Sequence, residues 1–337
     1  MALQPSGTIK YSEIIAEFGT PTNGGLGQYR LDGGENVGSL TNVPLDVGVP
    51  VSGQIKFSDF YSKKLNQIVD FYSIGNNSTR QDAKVRWSNN NVHVVGSSKT
   101  GKARPSDTVD DRVVIHVNNT IGSEKNTQTH VALKTGTWDS GTTLVIEIGA
   151  SGKLFGAGGD GGAGGDASGG DGSAGGVGSS ALGIEYPCTV NNLGVIQSGY
   201  GGGGGGDGQT RTTGGGKKGG ATTNGSSGGG GGGGAGLPSG EGGTTPGNSV
   251  GGGSAGNDGD DGDQTTSGTG GGGGNSAGDG GDGGVVNNTS TKAEDGGNSG
   301  GTGGDNGYAI ITNQGSAPSV TGAGSFTGRT LTSTNPT

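Results

Sequence analysis

The chain is poor in the residues that build compact cores and metal sites. It has one cysteine, one methionine and two tryptophans among 337 residues. A single cysteine cannot form an intrachain disulfide, and zinc sites built from several cysteines are excluded. Only 26% of the residues are hydrophobic and 4% are aromatic, which excludes one large hydrophobic core. No apolar run approaches the length of about 20 residues that a membrane-spanning helix needs, so we expect no membrane insertion.

Positive charge is also scarce. The net charge is −9, from 20 basic and 29 acidic residues. The acidic residues are in excess between positions 156 and 307, whereas the rest of the chain is close to balanced. An acidic surface repels phosphate, so we expect no nucleic-acid partner. The first five residues contain no basic-then-apolar signal segment, which favours synthesis in a cytoplasm.

Glycine is the abundant residue, at 87 of 337 positions. Residues 158–165, 278–284 and 300–304 follow a Gly-Gly-X pattern, and residues 256–262 follow Gly-X-Y. The extended polyproline-II-type helix has three residues per turn. Glycine at two positions in three therefore leaves two faces of such a helix bare, and other backbones can approach them. Collagen is excluded because the pattern is interrupted and proline is rare in the region.

Two outcomes are open for this region. An isolated glycine run, such as residues 228–234, behaves as a flexible linker. Ordering a residue costs about 1–2 kcal/mol, and a hydrogen bond returns about 0.5–1.5 kcal/mol. One arm alone is therefore expected to stay disordered. Several stacked arms each gain bonds from two or more neighbours. The sequence thus favours a C-terminal polyglycine-II helix bundle, with disorder as the alternative. The glycine-poor turns between arms are expected at 209–213, 221–227, 237–246, 264–267 and 285–295.

A duplicated phrase marks the N-terminal part. Residues 6–14 read SGTIKYSEI, and residues 52–60 read SGQIKFSDF. Each copy predicts a short extended piece followed by a brief helix, capped by Ser12 or Ser58. Residues 1–65 are therefore predicted to form a small α+β docking head.

The next stretch predicts strands. Period-two alternation and turn clusters favour an antiparallel β-sandwich over residues 66–154. The expected strands are 68–72, 84–87, 92–95, 112–117, 130–133 and 143–148. The glycine-rich bundle would follow over 155–311, with a two-strand island at 181–200, and a polar tail over 312–337. The predicted fold class is mainly β with irregular structure.

No pattern for catalysis or cofactor binding is present. Residues 211–218 lack the first glycine and the hydroxyl of a nucleotide-binding loop. His93, His116 and His130 have no metal-binding spacing and no catalytic partners. Four acids could attract a hard cation or simply be solvated, and we favour solvation; they are Asp258, Asp260, Asp261 and Asp263. We expect a non-enzymatic protein with no cofactor and no bound metal.

The glycine pattern, the strand island and the turns at the arm ends resemble the tail-fibre tip adhesins of T-even-type bacteriophages. The resemblance covers about residues 155–311. The duplicated phrase resembles the N-termini of tail proteins from marine phages. Two features depart from the first family. Residues 201–307 contain no Phe, Tyr or Trp, although adhesin loops in the family are often aromatic. The first 150 residues do not resemble the T-even attachment domain, which implies a different mounting on the virion.

The resemblance implies a virion protein of the tail, made in the host cytoplasm, that presents loops to the host surface. Residues 1–154 would contact other phage tail proteins. The outer partner would be a host polysaccharide, lipopolysaccharide or outer-membrane protein, and homo-oligomerisation is left open. The expected receptor-binding residues are Arg211, Lys217, Lys218, Thr244, Thr245, Asn287, Asn288 and Lys292. The alternatives are a structural tail or baseplate component without a receptor and, more distantly, an ice-binding protein.

Overall fold

A computed structural model describes residues 3–29, 49–50, 52–71, 78–94, 100–125, 127–213, 222–274, 277, 300–332 and 334–337. This part of the chain is mainly β, with several sheets and few helices, which confirms the predicted class in outline. The helices are α1 Tyr11–Phe18 and α2 Ala83–Ser88, with 3-10 turns at Leu26–Tyr29 and Phe57–Phe60. The strands are β1 Asn66–Asp70, β2 Ser78–Thr79, β3 Gln81–Asp82, β4 Val92–Val94, β5 Arg112–Val117, β6 Thr120–Gly122, β7 Val131–Lys134, β8 Thr143–Ile148, β9 Lys153–Phe155, β10 Ser180–Ile184, β11 Cys188–Asn192, β12 Val195–Gln197, β13 Gln209–Thr213, β14 Thr222–Ser226, β15 Ser249–Val250, β16 Tyr308–Thr312, β17 Val320–Thr321, β18 Ser325–Thr327 and β19 Arg329–Thr332.

The chain contributes strands to three sheets in a fixed order, and this order is repeated five times. Sheet 1 has the order β17-β11-β8-β5-β1-β4, sheet 2 has β18-β12-β9-β6-β2, and sheet 3 has β19-β16-β10-β7-β3. Each coil thus gives one strand to sheet 1, one to sheet 2 and one to sheet 3. Strands of successive coils pair in parallel. The arrangement is a parallel β-helix of five coils.

The predicted antiparallel pairing is therefore wrong. Among the described strands of residues 66–154, only β1 and β4 pair antiparallel. Alternation reveals which side chains face inward, but it does not reveal the direction of the neighbouring strand. That neighbour lies one coil away, so that Arg112 pairs with Thr143. The predicted island at 181–200 supplies β10–β12, which continue the same sheets.

One predicted strand is a helix. Residues 84–87 lie in α2, because the Asp82 carboxylate accepts a hydrogen bond from the Val85 backbone N–H at 3.0 Å. An acceptor at the N-cap satisfies one of the free donors of the first turn. Helix α2 places Ala83 and Trp87 in the main core at the first coil.

Apolar side chains stack in register inside the coils. One ladder runs through the centre of sheet 1, and its members are Val69, Ile115, Ile146, Val190 and Val320. Sheet 2 contributes Ile121, Leu154, Ile196 and Phe326. Sheet 3 contributes Leu133, Leu182 and Ile310. Each fully buried side chain of this kind stabilises the fold by about 1.5–3 kcal/mol, so the coils hold the main core.

The N-terminal head covers the outer face of sheet 1. Ile68, Val114 and Val145 point outward from that sheet and form a second core with the head. The head contributes the rings of Phe18, Tyr29 and Phe60, whose centroids are 5.6–6.0 Å apart. The two copies of the duplicated phrase thus end at Ile14 and Phe60, and both residues belong to this second core.

The predicted serine caps of the head are wrong. The N-cap positions are Lys10 and Lys56, and Ser12 lies inside α1. The backbone N–H of Lys10 donates to the Glu13 carboxylate at 2.7 Å, and that of Lys56 donates to Asp59 at 2.7 Å. The acid three residues after the cap makes the same bond in both copies, as in one half of a capping box.

The glycine-rich connections that the structure describes all leave the β-helix at one corner. Sheet 2 leads to sheet 3 through residues 123–130 in the second coil, 156–179 in the third and 198–307 in the fourth. The last two connections contain eight described arms. They are arm 1 (156–166), arm 2 (170–179), arm 3 (199–208), arm 4 (227–236), arm 5 (238–245), arm 6 (253–263), arm 7 (266–274) and arm 8 (300–307).

The arms are joined by backbone hydrogen bonds at every third residue. In arm 1, the N–H groups of Gly159, Gly162 and Gly165 donate to arm 3 at 2.8 Å. Arm 4 is the centre of the group, since it is bonded to arms 1, 3, 5, 6 and 7. The spacing of three residues matches the Gly-Gly-X pattern of the sequence.

The number of glycines per triplet follows the number of neighbours. In arm 4, a Cβ on Gly228 would lie 2.0 Å from arm 3, one on Gly229 would lie 1.9 Å from arm 7, and one on Gly230 would lie 1.8 Å from arm 5. All three positions of the triplet are therefore restricted to glycine. In arm 1 two positions meet other arms, and the third carries the outward-facing Asp160 and Ala163.

Candidate functional site

The arms have a base at the β-helix and a far end, here called the tip. The base is tied to the coils by side chains and backbone. Ser123 N–H donates to Leu237 O at 2.9 Å, and the Gln197 amide donates to Gln264 O at 3.0 Å. Lys125 Nζ lies 2.6 Å from the Asp160 carboxylate of arm 1. The base is therefore fixed by the coils, and the connections between arms 1 and 2, arms 3 and 4, and arms 5 and 6 lie at the tip.

The tip contains a small antiparallel sheet of β13, β14 and β15. This tip sheet packs on the turn that joins arms 1 and 2, where Thr210 Oγ1 donates to Ala167 O at 3.3 Å. The Ala167 N–H donates to Asn248 Oδ1 at 3.2 Å. Residues from three separate connections thus form one surface.

The tip brings together three of the eight predicted receptor-binding residues. Arg211 is exposed on β13 opposite Asn224. Thr244 is exposed and Thr245 is half-buried at the end of arm 5. Thr245 N–H donates to the Asp258 carboxylate at 2.6 Å, which fixes this end. The other predicted residues lie outside the described part of the chain; they are Lys217, Lys218, Asn287, Asn288 and Lys292.

The tip sheet adds exposed threonines that the sequence analysis did not select. These are Thr210, Thr212, Thr222 and Thr223. The predicted turns at 209–213 and 221–227 are largely strands, so their hydroxyls lie on a sheet rather than on irregular loops. The predicted turn at 264–267 lies at the base. Enrichment in threonine, which favours strands, was the available signal.

The acids on the arms accept hydrogen bonds from neighbouring backbone. The Asp261 carboxylate accepts from Gly242 N–H at 2.7 Å, and Asp160 accepts from Glu241 N–H at 2.9 Å. Both donors lie on arm 5, where the Glu241 side chain is exposed. Polar side chains at the X positions therefore complete the hydrogen bonding of the surface arms.

The four acids considered for a cation are used in the same way. Asp258 and Asp261 accept backbone N–H groups, and the Asp260 carboxylate accepts from the Thr269 hydroxyl. Hydrogen bonds from the backbone of Thr265 and Thr266 lower the pKa of Asp263. Within the described residues, no group of three or more His, Cys, Asp or Glu side chains is placed to hold a metal ion.

Two histidines meet at one carboxylate. Asp70 is buried at the end of β1, with His116 Nδ1 at 3.5 Å and His93 Nε2 at 3.8 Å. His116 is followed in register by Glu147 on the next coil. This contact could not be predicted from the sequence, because the three residues lie on the different strands β1, β4 and β5. The cluster contains no serine or cysteine nucleophile.

The single cysteine lies beside a small cavity. The cavity has a volume of about 190 Å³, and Pro187, Cys188, Thr312 and Pro318 line part of it. Burial raises the pKa of the Cys188 thiol from 9.0 to about 12. The thiol is therefore protonated at neutral pH and is a poor nucleophile.

Among the helices in the described ranges, none has the length and apolar character needed to cross a bilayer. The chain matches no protein-family model, no curated protein and no solved structure.

Proposed function

We propose that this chain is a non-enzymatic virion protein of a phage tail, and that it is a distal adhesin whose tip contacts the host surface. The glycine-rich region would be a polyglycine-II-type bundle that carries the tip away from the β-helix. The observation that carries the proposal is the set of hydrogen bonds that recur at every third residue across eight arms. This spacing is the repeat of a three-residue-per-turn helix.

The charge and chemistry of the tip favour a hydrophilic receptor. Most of its described exposed side chains are hydroxyl and amide groups; the exceptions include the cation Arg211, the acid Asp166 and the apolar Val250. Hydroxyl and amide groups exchange hydrogen bonds with sugar hydroxyls, and a guanidinium binds phosphate or carboxylate. A host polysaccharide or lipopolysaccharide therefore suits the tip better than an apolar protein groove. Residues 1–154 would attach the chain to other tail proteins.

Two experiments separate the adhesin from a structural tail component. Immunogold microscopy of virions that carry this chain should label the end of the tail or its fibres. The purified full-length chain should also bind bacterial lipopolysaccharide on a glycan array. Replacing Arg211, Thr244 and Thr245 together by Ala should reduce that binding, whereas Lys153→Ala on the exposed face of β9 should not. Tail labelling without any glycan or cell binding would favour the structural component.

A further inference from the structure

The two ends of the β-helix differ in their terminal strands and in the elements that pack on them. At the first coil, the outermost strand of sheet 1 is β4, which pairs antiparallel with β1. Helix α2 adds Ala83 and Trp87 to the core at the same end. At the last coil, β17, β18 and β19 are the outermost strands of all three sheets. No described strand or helix pairs with that end.

The strands of the last coil direct backbone groups outward. Ser325 N–H donates to Gly194 O at 2.7 Å, and Thr327 O accepts from Ser198 N–H at 3.0 Å. Successive residues of a strand alternate in direction, so the N–H and C=O of Phe326 point to the open side. In β17 the bond from Val190 N–H to Ser319 O leaves Val320 in the same position. Among the described residues, nothing pairs with these outward backbone groups, so the open end offers donors and acceptors to a further strand.

The open end also lacks the usual protection of an exposed edge. Proteins blunt such edges with charged residues or proline. Residues 320–332 contain no proline and one charged residue, Arg329, whose guanidinium lies 5.1 Å from the Tyr308 ring centre instead of facing outward. Two apolar ladders end here, with Phe326 41% exposed. A surface of this composition is typical of one that pairs with another strand.

We propose that the open end formed by β17–β19 is a dimer interface, on which a second copy of this chain adds its own open end. Three strand edges surround one end of the coil, and a single extended peptide can pair with only one of them. The end of a second β-helix with the same cross-section can pair with more than one of these edges. Two copies related by a twofold axis present their edge strands antiparallel, which is a favourable pairing.

The strand directions at the first coil favour a twofold contact over head-to-tail stacking. At that end the outermost strands are β4, β2 and β3, and β4 alone runs antiparallel to its sheet, so stacking on β17–β19 would mix antiparallel and parallel pairs in one contact, whereas a twofold contact makes every pair antiparallel. A twofold contact uses the same patch on both copies and closes on itself. The arms leave the coil at its corner, so they would project from both halves of the dimer.

The test is the mass of the full-length chain in solution, by light scattering and sedimentation velocity over a concentration series. We expect a species with twice the mass of one 32.3-kDa chain. Phe326→Pro should weaken the dimer by at least about tenfold in Kd, because each copy loses an outward donor and an apolar contact. Phe326→Asp keeps the backbone donor and places two like charges at the interface, and it should have the same effect.

The control is Val85→Ser, which removes a 54%-exposed side chain on α2, at the first coil and therefore at the opposite end from β17–β19. It should leave the dimer unchanged. Circular dichroism and thermal melting show whether each variant is folded. A monomeric unmodified chain would overturn the proposal, and so would assemblies that keep growing with concentration. A folded Phe326→Asp or Phe326→Pro variant that remains as dimeric as the unmodified chain would overturn it equally.

Discussion

At the scale of single residues, the arms depend on the absence of side chains at defined positions. A Cβ added to Gly231 would lie 2.1 Å from Gly203 O of arm 3, and both atoms belong to backbones that are fixed by further arms. The neighbouring position 163 on arm 1 is exposed and already carries alanine. The same residue type is therefore excluded at one point of the bundle and tolerated at another.

Gly231→Ala should destabilise the protein by about 1–3 kcal/mol, as expected for overpacking of a close-packed interior. Gly27→Ala is the matched control, because a Cβ there meets nothing within 4 Å; it should change stability by less than about 0.5 kcal/mol. Urea unfolding followed by circular dichroism measures both. Equal stability of the two variants would contradict close packing of arm 4.

The X-position acids are expected to stabilise the surface arms. Asp261→Ala removes the acceptor of Gly242 N–H, and the loss should be about 0.5–1.5 kcal/mol. Asn257→Ala is the control on the same arm, since its side chain is exposed and makes none of the described hydrogen bonds. Thermal unfolding of both variants gives the comparison. A larger loss for Asn257→Ala would show that the carboxylate is not used as described.

Cys188 gives a prediction that depends on pH. A pKa raised from 9.0 to about 12 lowers the thiolate fraction at neutral pH by about 1,000-fold. Iodoacetamide should therefore label the folded chain far more slowly than the urea-unfolded chain. The folded state holds the proton more tightly, so its stability should fall as the pH rises from 9.0 towards 12. Equal labelling rates in the folded and unfolded chains would contradict the burial of the thiol.

At the scale of elements, the sequence predicts which side chains face inward better than it predicts which strands pair. The glycine triplets of arms 1 and 6 indicate the number of bare faces, because most side chains on these two arms are exposed; Ala157 is a buried exception. The inward residues of β5 and β8 follow from alternation. The parallel coil does not follow, since nothing local to β5 specifies that its partner is one coil later. The contact of Asp70 with His93 and His116 could not be predicted for the same reason.

At the tip, Arg211, Thr244 and Thr245 could be selected from the sequence as polar residues in turns. The threonines of the tip sheet could be identified only once the pairing of β13 with β14 was known.

Hydrogen exchange tests the arms as elements. The amides of Gly228, Gly231 and Gly234 donate to arm 1 at 2.8–2.9 Å and are buried. They should exchange as slowly as the amides of β5 and much more slowly than the exposed residues 315–317. Mass spectrometry of peptides from 227–236 measures this difference. Complete exchange of that segment in the first time point, with β5 still protected, would mean that the arms are a flexible linker.

At the scale of the whole molecule, the arms are insertions in a β-helix that is complete without them. Their ends lie side by side at the base, with Ser179 N–H bonded to Ala157 O at 2.8 Å and Gly307 N–H bonded to Gly199 O at 2.9 Å. The main core lies in the coils, and its members come from the strands, from α2 and from the connections that carry Phe71 and Trp138, not from the arms.

Deleting 158–178 and 200–306 should therefore leave a folded β-helix. The shortened chain should be soluble, retain strand-type circular dichroism and unfold in one cooperative transition, because the second coil already makes the same corner with residues 123–130. The isolated segment 156–307 should not fold, since it lacks the coils that fix its base. A shortened chain that aggregates or unfolds without a transition would show that the arms contribute to the fold of the coils.

The three-residue bonding pattern also constrains how the chain can change in length. Adding one or two residues to an arm turns everything beyond the addition by a third or two-thirds of a revolution, so that aspartates would point at neighbouring backbones and glycines at solvent. Adding three restores every contact and lengthens the arm by about 9 Å. Natural variation in arm length should therefore come in whole triplets, much as insertions in a coding sequence come in whole codons.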